Sequence, residues 1–122
     1  MKHHAYVIAG ERDESVRAIE RYIEEAIGFS AAPANPDARW FSYDLLSVED
    51  ARTLIDRAHR STSTDAGKVL VIQTGRFFHE AQNALLKLFE EPPPATVIIL
   101  SIPSEGMLLP TLRSRLPVSG EG

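Results

Sequence analysis

HEAQNALLKLFEEPP, His79 to Pro93, follows an apolar run and ends in the first two of three consecutive prolines. Phe78, Ala81, Leu85, Leu88 and Phe89 recur at helical spacing, which predicts one apolar face, while Glu80, Gln82, Lys87 and Glu90 fall on the polar side. A helix of this kind packs on a core. Pro92, Pro93 and Pro94 lack a backbone donor and turn the residue before each away from helix, so the helix stops there. Glu90 and Glu91 sit at its C-terminal end, where exposed carboxylates oppose the helix dipole by a few tenths to about 1 kcal/mol. A solvated helix end accounts for them; retention for a purpose other than local stability is the alternative.

Working outward, Lys68 to Gln73 (KVLVIQ) and Thr96 to Ile102 (TVIILSI) are apolar enough to be buried strands, and Pro110 is placed to open a short helix through Arg113. Upstream, Ala5 to Ala9 reads as a buried strand ending at Gly10. Asp13 to Ile27 follows as a helix with Val16, Ile19, Tyr22, Ile23, Ala26 and Ile27 inward and Gly28 as its cap. Ser30 to Asp37 reads as a loop, and Arg39 to Tyr43 as a second strand. Ser47, with Asp50 three residues on, opens a helix that buries Val48, Ala51, Leu54, Ile55 and Ala58 and ends near Arg60; a polar turn spans Ser61 to Gly67. Strands alternating with helices predict an α/β fold: a three-layer sandwich with a mostly parallel sheet of about four strands, joined by right-handed crossovers.

The chain has 122 residues, enough for one domain with a real core. Hydrophobic content of 43% and charged content of 25% are ordinary for a soluble domain. No apolar run has the length to span a membrane, and no signal peptide is evident, so a cytoplasmic location is expected. With no cysteine there is no disulfide or thiolate metal site, and four scattered histidines do not make a metal cluster. A net charge of −4 leaves no general nucleic-acid footprint, so DNA contact is expected to be indirect at most.

Asn83-Ala84-Leu85-Leu86-Lys87 with Glu90-Glu91-Pro92-Pro93, then Leu108-Leu109-Pro110-Thr111 and Ser114-Arg115, resembles the AAA+ core of bacterial DNA polymerase III clamp-loader subunits, most closely the delta prime type and next gamma/tau. The likeness runs from His4-Ala5-Tyr6 to Arg115. It implies an AAA+, P-loop NTPase-like sheet with the first strand between the fourth and a fifth, and the second at the far edge beyond the third. Pro117 and two glycines make that fifth strand hard to build from Leu116 to Gly122. Related subunits often carry a four-cysteine zinc module before the second strand; here that region has no cysteine. A single truncated core over 1–122 is expected, without zinc module, lid or collar domain.

In the family, the loop after the first strand is GxxxxGK[ST], whose backbone N–H groups cradle phosphate while its Lys and hydroxyl serve the γ-phosphate and magnesium. Here Gly10 is followed by Glu11, Arg12, Asp13, Glu14 and Ser15, with Val16 in place of the lysine and Arg17 in place of the hydroxyl. Three carboxylates stand where a polyphosphate would bind, and they repel it. The acidic pair expected on the third strand is Gln73-Thr74, and the polar residue expected near the end of the fourth falls at or near Pro103. Cradle, metal ligand and water activator are all lost, so the chain is expected to bind no cofactor or metal and not to be an ATPase.

Ser114-Arg115 matches the family's Ser-Arg-Cys motif, with Leu116 for the cysteine. The resemblance implies that Arg115 reaches the γ-phosphate of ATP held by a neighbouring subunit, where a planar, permanently charged fork suits several phosphate oxygens. An unpaired surface arginine is the alternative. His59 and His79 read as exposed, Ser61 to Thr64 as a turn, and Phe77, Phe78 and Phe89 as core. The combined expectation is a non-catalytic clamp-loader-type subunit acting in DNA replication through contact with an ATP-binding neighbour. The alternative is a degenerate α/β adaptor or self-associating domain outside the replisome.

Overall fold

The computed structural model describes residues 5–27, 38–60, 68–114 and 116. Its elements follow one another as β1 (Ala5–Ala9), α1 (Arg12–Tyr22), a π-helical turn (Ile23–Ile27), β2 (Ala38–Leu46), α2 (Val48–Arg60), β3 (Lys68–Phe77), α3 (His79–Glu90), β4 (Thr96–Ile102), a 3-10 turn (Glu105–Met107) and α4 (Pro110–Arg113). The strands pair in the order β1-β4-β3-β2, every pair parallel. This is the order the clamp-loader resemblance implies for these four strands. The readings of Gly28, of the loop to Asp37, of the Ser61 to Gly67 turn and of a fifth strand after Leu116 lie outside the described residues.

Alternation along β3 explains why its sequence is apolar throughout. Leu70 and Ile72 point into the larger core beneath α2, α3 and α4, together with Leu54, Leu85, Leu88 and Leu112. Val69 and Val71 point to the other face, where Ile19 and Ile23 meet Ile8 and Ile99. The sheet is therefore sandwiched between α1 on one side and α2, α3 and α4 on the other, which makes the three-layer arrangement. Among the described residues no helix is long and apolar enough to cross a membrane.

Helix boundaries follow from local chemistry. Ser47 Oγ accepts from Asp50 N at 3.1 Å, while Asp50 Oδ2 accepts from Ser47 N at 3.1 Å and from Ser47 Oγ at 2.9 Å, so α2 opens on a reciprocal capping box. α3 stops at Glu90 before the prolines, and Glu91 leaves helical geometry with its N–H still bonded to Lys87 O at 2.8 Å. Lys68 Nζ donates to Ala58 O at 2.7 Å, tying the last turn of α2 to the start of β3.

Three expectations need correction. β2 and β3 extend beyond Tyr43 and Gln73, because their ladder continues through Leu45–Arg76 to Leu46–Phe77. Phe78 is 59% exposed, since it precedes the first turn in extended geometry and the helical spacing does not govern its direction. Gln82, expected on the polar side, is 1% exposed and held by three hydrogen bonds.

Tyr6 and Tyr22 pack edge to face with ring centroids 5.1 Å apart. Burial first, and then the hydrogen bond to Tyr6, push the Tyr22 hydroxyl far above its ordinary value of 10.0. The folded chain thus keeps a proton that the unfolded chain releases near that pH. Its stabilising contribution is complete below about pH 10 and is lost as pH rises beyond it. Lys68 is shifted downward, first by burial and then by Arg39, and so acts in the opposite sense. Tyr22→Phe should flatten the alkaline fall in stability, measured as the difference between variant and wild type in urea unfolding from about pH 9 to about pH 11, a comparison that cancels the lysine. Equal slopes for the two proteins would contradict this.

Candidate functional site

Gly10 turns the chain from β1 into α1 with φ at +149°, a region that L side chains rarely adopt, and its N–H donates to Ile102 O at 2.9 Å. The next residue occupies the helix N-terminus. Glu11 Oε1 accepts from Glu14 N at 3.1 Å, and Glu11 O accepts from Ser15 N at 2.9 Å. A helix N-terminus attracts anions through its unpaired N–H groups and dipole. Here an internal carboxylate takes that place, and Asp13 and Glu14 lie exposed in the same turn. Ser15 is buried, Val16 is half-buried, and Arg17 is exposed.

Opposite this loop, Gln73 and Thr74 are both buried in β3. Gln73 Oε1 accepts from Ser42 Oγ at 3.0 Å, and Thr74 Oγ1 donates to Arg76 O at 2.6 Å, so the threonine hydroxyl is committed to its own strand. The two regions meet around one cavity of about 280 Å³. Gly10 and Glu11 line it from the loop, Gln73, Thr74 and Gly75 from β3, and Ser101, Ile102 and Pro103 from β4. It lies at the carboxyl ends of parallel strands, where open α/β sheets bind ligands. Among the described residues its lining offers neutral hydrogen-bonding groups and one carboxylate but no cation. Among the described residues no cluster of histidine and carboxylate side chains has the composition to hold a metal ion.

The signature-helix residues lie elsewhere. Asn83, Lys87, Glu90 and Glu91 are exposed and Pro92 is half-buried, while Lys87 and Glu91 border a shallow groove against Ile55 and His59 of α2. His59 and His79 are exposed.

Arg115 lies outside the described residues, but the chain on both sides of it is anchored. Leu112 and Leu116 are buried in the larger core, and Ser114 is exposed with its hydroxyl donating to Thr111 O at 3.1 Å. Arg113 meets Glu105 at 3.4 Å; both side chains are about half exposed, so the pair adds little stability.

Gln82 is the site-supporting residue that its polar assignment concealed. Its Nε2 donates to Phe77 O at 2.7 Å and to Met107 O at 2.9 Å, while its Oε1 accepts from Leu109 N at 2.7 Å. One side chain on α3 thereby ties the end of β3 to the segment that leads into α4 and Ser114. Counting would have found it: with Ala81 and Leu85 it completes an i, i+1, i+4 arc on the buried face.

Comparison with known proteins agrees with this architecture. Residues 31–119 match the family model described as DNA polymerase III, delta subunit. The chain is 31% identical to the DNA polymerase III gamma/tau subunit of Mycobacterium tuberculosis over 92% of its own length and 23% of the relative's. It is 38% identical to the delta prime subunit of Yersinia pestis over 57% of its length and 21% of the relative's. A crystal structure of a DNA polymerase III gamma subunit-related protein from Thermotoga maritima superposes with a TM-score of 0.75 at 27% identity, covering 98% of this chain and 42% of that one. The chain thus spans about a quarter of the curated relatives it matches, and it belongs to the DNA polymerase III delta-subunit family.

Proposed function

We propose that the chain serves as a non-catalytic clamp-loader-type subunit in DNA replication, of the delta prime kind. It works by contact with an ATP-binding neighbour and offers Arg115 to that neighbour's γ-phosphate. The observation that carries this reading is the Glu11 carboxylate at the N-terminus of α1, where the family's loop would receive phosphate. Displacing it leaves Asp13 and Glu14 in the same first turn, and the β3 positions that would serve magnesium and water hold the amide of Gln73 and the committed hydroxyl of Thr74. The anchoring of Leu112 and Leu116 fits a presented arginine between them.

Calorimetric titration with ATP and magnesium tests the first half of this reading. The isolated chain should give no binding heat, whereas an intact clamp-loader ATPase subunit under the same conditions should give a saturating isotherm. Micromolar binding by the isolated chain would overturn the proposal.

A further inference from the structure

Ser42, Gln73 and Ser101 lie opposite one another on adjacent strands, forming one row across β2, β3 and β4. Val71 and Ile99, two residues earlier on β3 and β4, pack beneath α1, and strand side chains alternate, so Gln73 and Ser101 face that same side. The row is polar where the preceding one is apolar. Gln73 is 5% exposed, and its Nε2 is a buried side-chain atom without a hydrogen-bond partner, while the residue lines the cavity of about 280 Å³. An unmet buried donor is unfavourable, so a group that meets it is favoured in binding. A hydroxyl both donates and accepts, so turning the amide over against Ser42 would leave Oε1 unmet in place of Nε2. In both orientations one half of the amide lacks a partner within the chain, and a turn of the side chain toward the cavity it lines brings that half to a ligand.

We infer that this cavity binds small uncharged molecules that present a carboxamide-type edge, a C=O beside an N–H, to Gln73. The carbonyl accepts from Nε2 and the N–H meets an amide or hydroxyl oxygen of the polar row. Ile102 and Pro103 offer apolar surface to the body of the ligand. Glu11, with no cation among the described lining residues, sets the charge preference against carboxylates and phosphates. This inference concerns a ligand class and stands whether or not Arg115 acts on a neighbour.

Benzamide is the probe, titrated into the isotope-labelled full chain while the side-chain NH₂ resonances of Gln73 and the backbone amides of Gly10 and Gly75 are followed. Benzoate, of the same shape but negatively charged, is the comparison. Benzamide should move all three sets of resonances saturably, benzoate should not, and Gln73→Met should weaken benzamide binding about tenfold, equivalent to one good hydrogen bond. The comparison of the two probes needs only the wild-type chain, so a poorly folded variant does not remove the test. Equal responses to benzamide and benzoate, or a Gln73 NH₂ pair that benzamide leaves unmoved, would overturn the proposal; in the latter case the cavity holds ordered water only.

Discussion

Gln82→Leu is expected to lower the stability of the fold by about 3 kcal/mol, because it leaves two carbonyls and one N–H without their partner at a cost of about 1–3 kcal/mol for each one that water cannot reach. Leucine has nearly the same volume, so the loss comes from Phe77 O, Met107 O and Leu109 N and not from an emptied cavity. Urea unfolding should show a lower midpoint with an unchanged slope. Gln82→Glu provides the control: it keeps an acceptor for Leu109 N but loses both donors and places its oxygens against two carbonyls, so it should be no better than leucine. A loss below about 1 kcal/mol in both variants would mean that the segment after β4 is held by Leu108, Leu112 and Leu116 alone.

Arg115→Ala is expected to reduce the chain's stimulation of a neighbouring ATPase by about 10³-fold, the lower end of the ~10³–10⁵ that arginine fingers supply in nucleotide hydrolases. Arg115→Lys should not restore it, since an ammonium is a point charge without the planar fork that spans two phosphate oxygens. Arg113→Ala, which removes only the exposed contact with Glu105, should leave stimulation unchanged. Single-turnover hydrolysis by the neighbour, with and without each variant, separates these outcomes. Gln82→Leu should also reduce stimulation although Arg115 is intact, because the arginine's supporting segment has lost its tie to α3.

Much of the architecture is legible in sequence because local chemistry and tertiary packing agree. Thr96–Ile102 is apolar on both faces because helices cover both, and the prolines at either end of α3–α4 mark a stop and a start as backbone chemistry requires. The length of β3 is not legible in that way. Gly75 and Arg76 look like the end of a strand, yet both stay within β3, and Arg76 and Phe77 remain in the ladder because β2 continues beside them. The expectation of a degenerate nucleotide loop rests on Val16, Arg17, Gln73 and Thr74, whereas that Glu11 fills the helix N-terminus depends on a contact three residues along the chain. Gln82 illustrates a different failure: its position placed it inside, while its polarity suggested outside. The bonds that reconcile the two come from residues up to 27 positions away.

The measurement closest to the central claim is ATP hydrolysis by a mixture of this chain with an ATP-binding clamp-loader subunit, run beside a second mixture in which the partner's phosphate-binding lysine is replaced. The account predicts stimulated, Arg115-dependent turnover in the first mixture and none in the second, because every phosphate bond broken is held by the partner. Turnover that persists in the second mixture and survives Arg115→Ala would place hydrolysis on this chain and contradict the account.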